Sequence, residues 1–148
     1  MTELEKLQRY CAYQERCKGD IEKKMNSLGI LPELQKKYLQ LLINEGFLNE
    51  ERFVESFVRG KFHYKKWGKS KIIFHLKQKG VSDNSIQKGI NQIEEQEYYN
   101  VMLKLVEKKR KELSSENDEY LIKQKIYRFL LQKGFRADEI NKLFSAST

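Results

Sequence analysis

The sequence predicts an all-α protein built from three tandem three-helix repeats. Three observations predict this class: a charged fraction of 34% beside a single proline, apolar residues at helical spacing, and three glycines that follow one apolar pattern. Long solvated helices tolerate many charges, whereas a β-sandwich needs frequent turns. An apolar fraction of 39%, with eight phenylalanines and eight tyrosines, provides enough material for a packed core.

The repeat is visible when the sequence is aligned on Gly29, Gly80 and Gly134, which are 51 and 54 residues apart. A large apolar residue stands eight and four positions before each glycine, and another follows it directly. These nine residues are Ile21, Met25, Ile30, Ile72, Leu76, Val81, Ile126, Leu130 and Phe135. The first two positions lie on one helix face, and a left-handed glycine ends the helix so that the next residue folds back onto it.

Helix punctuation divides each repeat into three helices. Pro32 suits the first position of a helix and Gly46 its end, Asn49 and Ser82 are typical caps, and Gly68 interrupts the chain. The repeats are predicted at residues 1–48, 49–96 and 97–148. The nine helices are predicted at residues 3–16, 19–28, 32–45, 50–65, 69–79, 83–95, 97–113, 117–133 and 137–145. Because one repeat buries little surface alone, we expect an elongated, curved array.

Positive charge is concentrated in residues 56–82. The chain has 29 lysines and arginines against 21 acidic residues, and this segment carries eight positive charges and no negative one. The eight residues are Arg59, Lys61, Lys65, Lys66, Lys69, Lys71, Lys77 and Lys79. A helix face that is merely solvated normally mixes both signs, so the segment indicates contact with nucleic acid or with an acidic protein surface.

Four aromatic residues, Phe62, Tyr64, Trp67 and Phe74, stand among these lysines. Interleaved rings can stack on unpaired bases. Phe62, Trp67 and Phe74 can equally be core residues that join two helices. Both interpretations stay open at the level of the sequence.

No catalytic constellation is recognisable in the sequence. His63 and His75 match no metal or nucleophile motif, and His75, beside Leu76, is expected to be partly buried. We therefore predict a protein that is not an enzyme and has no catalytic residue, cofactor or metal. Cys11 and Cys17 are interpreted as buried thiols, and no apolar stretch predicts a membrane span or leader. We expect a cytoplasmic monomer.

Two stretches of the chain carry a family resemblance. LINEGFLNEERFVESFVRGKF (42–62) and KWGKSKIIFHLKQKGV (66–81) resemble the RecX family, bacterial regulators of the RecA recombinase. RYCAYQERCKGDIEKKM (9–25) is similar to the family's first repeat, whereas the third repeat matches only through IYRFLLQKGF (126–135). The family often has proline after the glycine of the second motif. Here Lys69 follows Gly68, so Gly68 alone is expected to hold that turn.

The resemblance implies tandem three-helix repeats and a non-enzymatic modulator, mostly an inhibitor, of RecA in DNA repair, recombination and the SOS response. It implies binding to RecA and to the RecA–single-stranded DNA filament, with restraint of recombinase, ATPase and coprotease activities. The eight basic residues are then candidates for contact with the filament or its DNA. A stand-alone DNA-binding protein of helix-turn-helix-like triplets is the alternative, and a helical adaptor with unrelated partners is a third.

Overall fold

The computed structural model describes residues 1–146, which contain nine α-helices, one π-helical segment and no strand. The all-α class and its three successive groups of three helices are confirmed. The helices are α1 (Glu3–Tyr13), α2 (Lys18–Ser27), α3 (Pro32–Asn44), α4 (Glu50–Arg59), α5 (Lys69–Gln78), α6 (Asp83–Asn91), α7 (Glu95–Glu112), α8 (Glu119–Lys133) and α9 (Ala137–Ala146).

The glycine register is confirmed at all three positions. Gly29, Gly80 and Gly134 have φ angles of +69°, +79° and +103°, and all nine apolar register residues are buried. In each case the N–H of the residue after the glycine donates to the carbonyl of the residue four positions before the glycine, over 3.0–3.2 Å. This hydrogen bond is the one expected of a Schellman cap.

Several predicted helix boundaries are confirmed by their caps. Pro32 opens α3, and Asn49 Oδ1 accepts the Arg52 N–H at 2.9 Å before α4. Two helices end three or more residues earlier than predicted. The first helix stops at Tyr13, because Gln14 is extended, and the sixth stops at 91 rather than 95.

The predicted helix 50–65 changes type part of the way along. After α4 the chain continues as a π-helical segment, Gly60–Tyr64, in which the Lys65 N–H donates to the Gly60 carbonyl at 3.3 Å. Phe62, at the centre of this segment, is 1% exposed. A π-turn holds more residues than an α-turn, so it shifts the side chains that follow around the helix axis, and such turns are frequent at functional sites.

The chain forms two compact units. The first unit comprises Met1–Val58 and His75–Gly89, and the second comprises Arg59–Phe74 and Ile90–Thr148, described as far as residue 146. The three repeat boundaries stay a prediction. Cys11 and Cys17 are buried free thiols, as predicted. No helix within the described residues is long and apolar enough to cross a membrane.

Candidate anion-binding site

The candidate site lies in the second unit, where the turn before α5 meets the end of α8. The Gly68 N–H donates to the Lys133 carbonyl at 2.7 Å, and the Ser70 N–H donates to the Gly134 carbonyl at 3.0 Å. A Cβ atom on Gly68 would lie 2.3 Å from the Gly134 carbonyl carbon. Only glycine permits this approach of the two backbones, so the turn is fixed against the helix cap.

Tyr98 of α7 provides a second anchor for the same turn. The Lys69 N–H donates to the Tyr98 hydroxyl at 3.0 Å, and that hydroxyl donates to Glu139 Oε1 at 3.0 Å. Burial raises the pKa of Tyr98 above its usual range, so the phenol stays protonated. The expectation that Gly68 alone holds the turn is therefore wrong. The backbone donor that lysine has, and proline lacks, is used here.

Two buried aromatic rings pack against Tyr98. The Phe62 and Tyr98 rings stack with centroids 5.8 Å apart, and the Tyr98 and Phe135 rings lie 5.3 Å apart. Phe62 is thus a core residue. Its π-helical segment fixes the chain that leads into the turn.

The turn itself has an unusual backbone. Lys66 has a φ of +59°, a left-handed conformation that costs a residue with a Cβ roughly 1–2 kcal/mol. Its Nζ donates to the His63 carbonyl at 2.6 Å, which closes the turn with a charged hydrogen bond. His63 Nδ1 also lies 3.2 Å from Glu97 Oε1 of α7.

Six of the eight basic residues predicted from the sequence lie in the second unit and two in the first. Lys79, in the first unit, forms an ion pair with Asp20 at 3.3 Å, and Lys77 is exposed there. The six in the second unit are Arg59, Lys61, Lys65, Lys66, Lys69 and Lys71. Lys79 is therefore partly neutralised within its own unit.

Trp67 is half-buried between two of the lysines. The Nζ atoms of Lys61 and Lys71 lie 4.8 and 4.6 Å from its ring centroid, within cation–π range. Lys69 Nζ lies 4.6 Å from the Tyr98 ring centroid in the same way. Aromatic faces therefore help to position these ammonium groups beside the turn.

Lys133, at the end of α8, lies where further lysines converge. Its Nζ donates to the Lys65 carbonyl at 2.7 Å, and Lys71 Nζ lies 3.5 Å from the Gln132 carbonyl. Burial, followed by the positive charges of surrounding lysines, lowers the pKa of Lys133. We call these residues the basic cluster: Lys65, Lys66, Lys71, Lys108 and Lys133. Like charges held together in this way favour an anion.

The basic cluster is not neutralised internally. Within residues 1–146, none of its five lysines forms an ion pair with a carboxylate. Nearby basic residues of α7 do so, because Lys109 pairs with Glu112 and Arg110 with Glu119. The cluster thus offers several unneutralised ammonium groups, the arrangement that binds phosphates.

Sequence reasoning missed Lys108 and Lys133, which lie outside the basic segment. The glycine register contained a signal for Lys133, because lysine directly precedes both Gly80 and Gly134. Nothing in the sequence singled out Lys108, whose charge reaches the cluster only through the packing of α7 against α8.

Two exposed aromatic residues accompany the basic residues in the second unit. Tyr64 is 82% exposed and Phe74 is 58% exposed. The interpretation of Phe74 as a core residue is therefore wrong, whereas Trp67 is only half-buried. Exposed rings near ammonium groups are suited to stacking on unpaired bases.

His75 is half-buried, as predicted. Within residues 1–146 no group of three or more histidine, cysteine or acidic side chains is placed to hold a metal ion.

The geometry defines a helical protein of consecutive three-helix domains with an unneutralised basic cluster, and comparison with known proteins identifies the class. Residues 49–90 match the family model for the second three-helix domain of RecX, and residues 95–144 match the model for the third. The chain belongs to the RecX family, whose curated members are named regulatory proteins.

Two relatives and one crystal structure illustrate the similarity. A regulatory protein RecX of Clostridium perfringens (strain SM101 / Type A) is 29% identical over 125 residues, 84% of this chain and 58% of the relative. A regulatory protein RecX of Clostridium botulinum (strain Alaska E43 / Type E3) is 35% identical over 121 residues, which are 81% of this chain and 56% of the relative. The crystal structure of RecX from Lactobacillus salivarius has a TM-score of 0.86 at 25% identity, covering 97% of this chain and 92% of that one. The chain spans little more than half the length of these two curated relatives.

Proposed function

We propose that this chain is a non-enzymatic modulator, mostly an inhibitor, of the RecA recombinase. It binds RecA and the RecA–single-stranded DNA filament and restrains recombination, ATPase and coprotease activity. In this proposal the basic cluster contacts DNA phosphates, together with Arg59, Lys61 and Lys69. The observation that supports this most strongly is a set of five lysines that form no ion pair with a carboxylate within residues 1–146, in a chain of the RecX family.

The physical basis is the long-range attraction between ammonium groups and a nucleic-acid backbone. Lysines neutralise phosphates and release counterions, which gives an affinity that depends on salt and not on sequence. Tyr64, which is 82% exposed, adds a ring that favours unpaired bases over a closed duplex. A modulator with these features is suited to a filament in which single-stranded DNA is partly enclosed.

A charge-reversal experiment tests the role of the cluster in inhibition. Lys65 and Lys108 are exposed, so Lys65→Glu with Lys108→Glu leaves the turn and its backbone anchors in place. We expect this double variant to lose most of its inhibition of the DNA-dependent ATPase of RecA at moderate salt. Lys36→Glu with Lys37→Glu, at two exposed positions of α3, changes the net charge equally and should still inhibit.

The outcome separates the proposed function from a general charge effect. Unchanged inhibition by the Lys65/Lys108 variant would contradict the assignment of the cluster, and equal loss in both variants would assign the effect to net charge.

The alternative is a stand-alone DNA-binding protein. The basic cluster supports this alternative because it could bind DNA phosphates without any contact to RecA. A pull-down of RecA with and without DNA, repeated at raised salt, separates the two functions. Retention of RecA without DNA supports the modulator. Binding of DNA with no retention of RecA under any condition supports the alternative.

A further inference from the structure

The outward face of α8 is a second surface, distinct from the basic cluster, and it is both apolar and basic. Ile126 and Leu130 pack into the second unit, whereas Tyr120, Leu121 and Leu131 are 68%, 38% and 42% exposed. Single exposed apolar side chains are ordinary, but three on one side of one helix form a patch.

Helical spacing brings these residues into two adjacent rows. Tyr120, Gln124, Tyr127 and Leu131 are four, three and four residues apart, so they form one row along about three turns. The Gln124 amide donates to the Tyr120 hydroxyl at 2.8 Å and holds the row together. Leu121, Lys125 and Arg128 form the neighbouring row.

The charge of this face has one sign. Lys123, Lys125 and Arg128 are exposed on α8. Glu119 is the sole acidic residue of the helix, and its carboxylate accepts two hydrogen bonds from the Arg110 guanidinium of α7. The outward face therefore offers apolar contacts flanked by positive charges, and the acidic residues Asp118 and Glu119 are confined to the start of the helix.

We propose that the outward face of α8 docks an acidic amphipathic helix of a partner protein. The apolar row packs against apolar residues of that helix, and the flanking lysines and arginine meet its aspartates and glutamates. A helix packs well on a helix, because side-chain ridges of one fit between those of the other. Complementary charge sets the partner's identity and orientation more than it sets affinity.

The chemistry of the face favours a protein helix over the two other anionic partners. Exposed leucines have no ring to stack on a base, so nucleic acid would leave Leu121 and Leu131 without a role. A helix that lies in a membrane surface presents a broad apolar face to lipid, whereas Ile126, Phe129 and Leu130 of α8 face its own unit.

A synthetic peptide probe tests the proposal. The probe is a fluorescent helical peptide about the length of α8, with leucines at helical spacing along one side and glutamates beside them. Its comparators are a scrambled peptide of the same composition, a single-stranded oligonucleotide and anionic vesicles. Fluorescence anisotropy should show binding of the helical probe that is at least about tenfold tighter than binding of the scrambled one.

Two variants localise the binding. Arg128→Glu with Leu131→Glu should weaken binding of the helical probe by roughly tenfold or more, because the double variant removes one charge contact and one apolar contact. Ile43→Glu, at a position of α3 that is 45% exposed, is the matched control and should leave binding unchanged. Because all three positions are exposed, circular dichroism should show unaltered folding. If the double variant is unfolded, Lys125→Glu, also at an exposed position, replaces it as the test.

Each other outcome overturns the proposal. If the scrambled peptide binds as tightly as the helical probe, the face does not recognise a helix. If the folded Arg128→Glu, Leu131→Glu variant binds the helical probe as tightly as the wild type does, the binding site is not on this face. Loss of oligonucleotide or vesicle binding alone in that variant would assign the face to nucleic acid or lipid. Concentration-dependent self-association that the variant abolishes would assign it to a second copy of the chain. None of these results depends on RecA, so they leave the proposed function untouched.

Discussion

The ends of α5 and α8 share a local sequence but have opposite electrostatic surroundings. Each helix ends in Gln-Lys-Gly, and Gly80 and Gly134 adopt the same left-handed cap. Lys79, before Gly80, pairs with Asp20 at 3.3 Å. Lys133, before Gly134, donates to the Lys65 carbonyl and is subject to the positive charge of four further lysines.

The pKa values express this difference. Burial alone would raise the pKa of Asp20, but hydrogen bonds from Cys17 and the charge of Lys79 outweigh it, so the pKa is lowered. Burial and like charges lower the pKa of Lys133. One repeat therefore uses this lysine to stabilise its own unit, whereas the other keeps it unneutralised. Residues that tertiary packing places nearby, and not the local sequence, decide the use of the lysine.

The largest expected difference between the two ends concerns their glycines. A Cβ on Gly134 would lie 2.3 Å from Lys71 Cβ, whereas a Cβ on Gly80 would meet nothing within 4 Å. We expect Gly134→Ala to cost about 3 kcal/mol or more, because steric overlap adds to left-handed strain. Gly80→Ala should cost about 1–2 kcal/mol from backbone strain alone. Urea unfolding followed by circular dichroism measures both, and equal losses would contradict the proposed fit of the turn against α8.

The next largest effect concerns Tyr98, which anchors the turn that packs against the end of α8. Tyr98→Phe leaves the Lys69 N–H without its acceptor, and we expect a loss of about 1–3 kcal/mol. Tyr64→Phe, at an exposed position, is the control and should change stability little. A loss no greater than that of the control would show that water replaces the hydroxyl.

The pH dependence of stability gives the same residue a second readout. Because the pKa of Tyr98 is raised in the folded state, its contribution is complete below the unfolded value of about 10 and is lost as pH rises above it. Wild-type protein should lose stability above that pH, and Tyr98→Phe should lose less. An identical alkaline decline in both proteins would contradict the burial of this phenol.

The smallest effect is the salt response of the two lysines. Salt screens the repulsion around Lys133 but weakens the attraction between Lys79 and Asp20. We therefore expect added salt to raise the urea midpoint of the wild type, and Lys133→Met to reduce that rise. Lys79→Met removes the same charge and should not reduce it. Equal responses would show that net charge alone governs the effect.

Local patterns in the sequence predicted most of the fold. The spacing around Gly29, Gly80 and Gly134 predicted nine buried residues, because a helix face and its cap involve neighbours along the chain. The π-helical segment was not predicted, and the contact at its centre, Phe62 stacked on Tyr98 of α7, has no local signal in the sequence. The anchor from Tyr98 to Lys69 spans 29 residues and has no local signal.

The candidate site was predicted only in part, for a related reason. Net charge along the chain identified Lys65, Lys66 and Lys71, but charge counting is blind to pairs such as Lys79 with Asp20, 59 residues apart. It also missed Lys108 and Lys133, which join the cluster only when α7 and α8 pack against the turn. Long-range packing thus decides which cations stay unneutralised.

The most direct test of the basic cluster is the salt dependence of its binding to a single-stranded oligonucleotide. The chain has one tryptophan, and Trp67 lies beside Lys71, so its fluorescence reports binding at this site. Eight phosphate contacts, from the five cluster lysines with Arg59, Lys61 and Lys69, predict a slope of log K against log salt of about −5.6, from roughly −0.7 per contact. Lys65→Glu with Lys108→Glu should reduce its magnitude by about 1.4. An unchanged slope in that variant, or an equal reduction in Lys36→Glu with Lys37→Glu, would contradict a phosphate-binding role for the cluster.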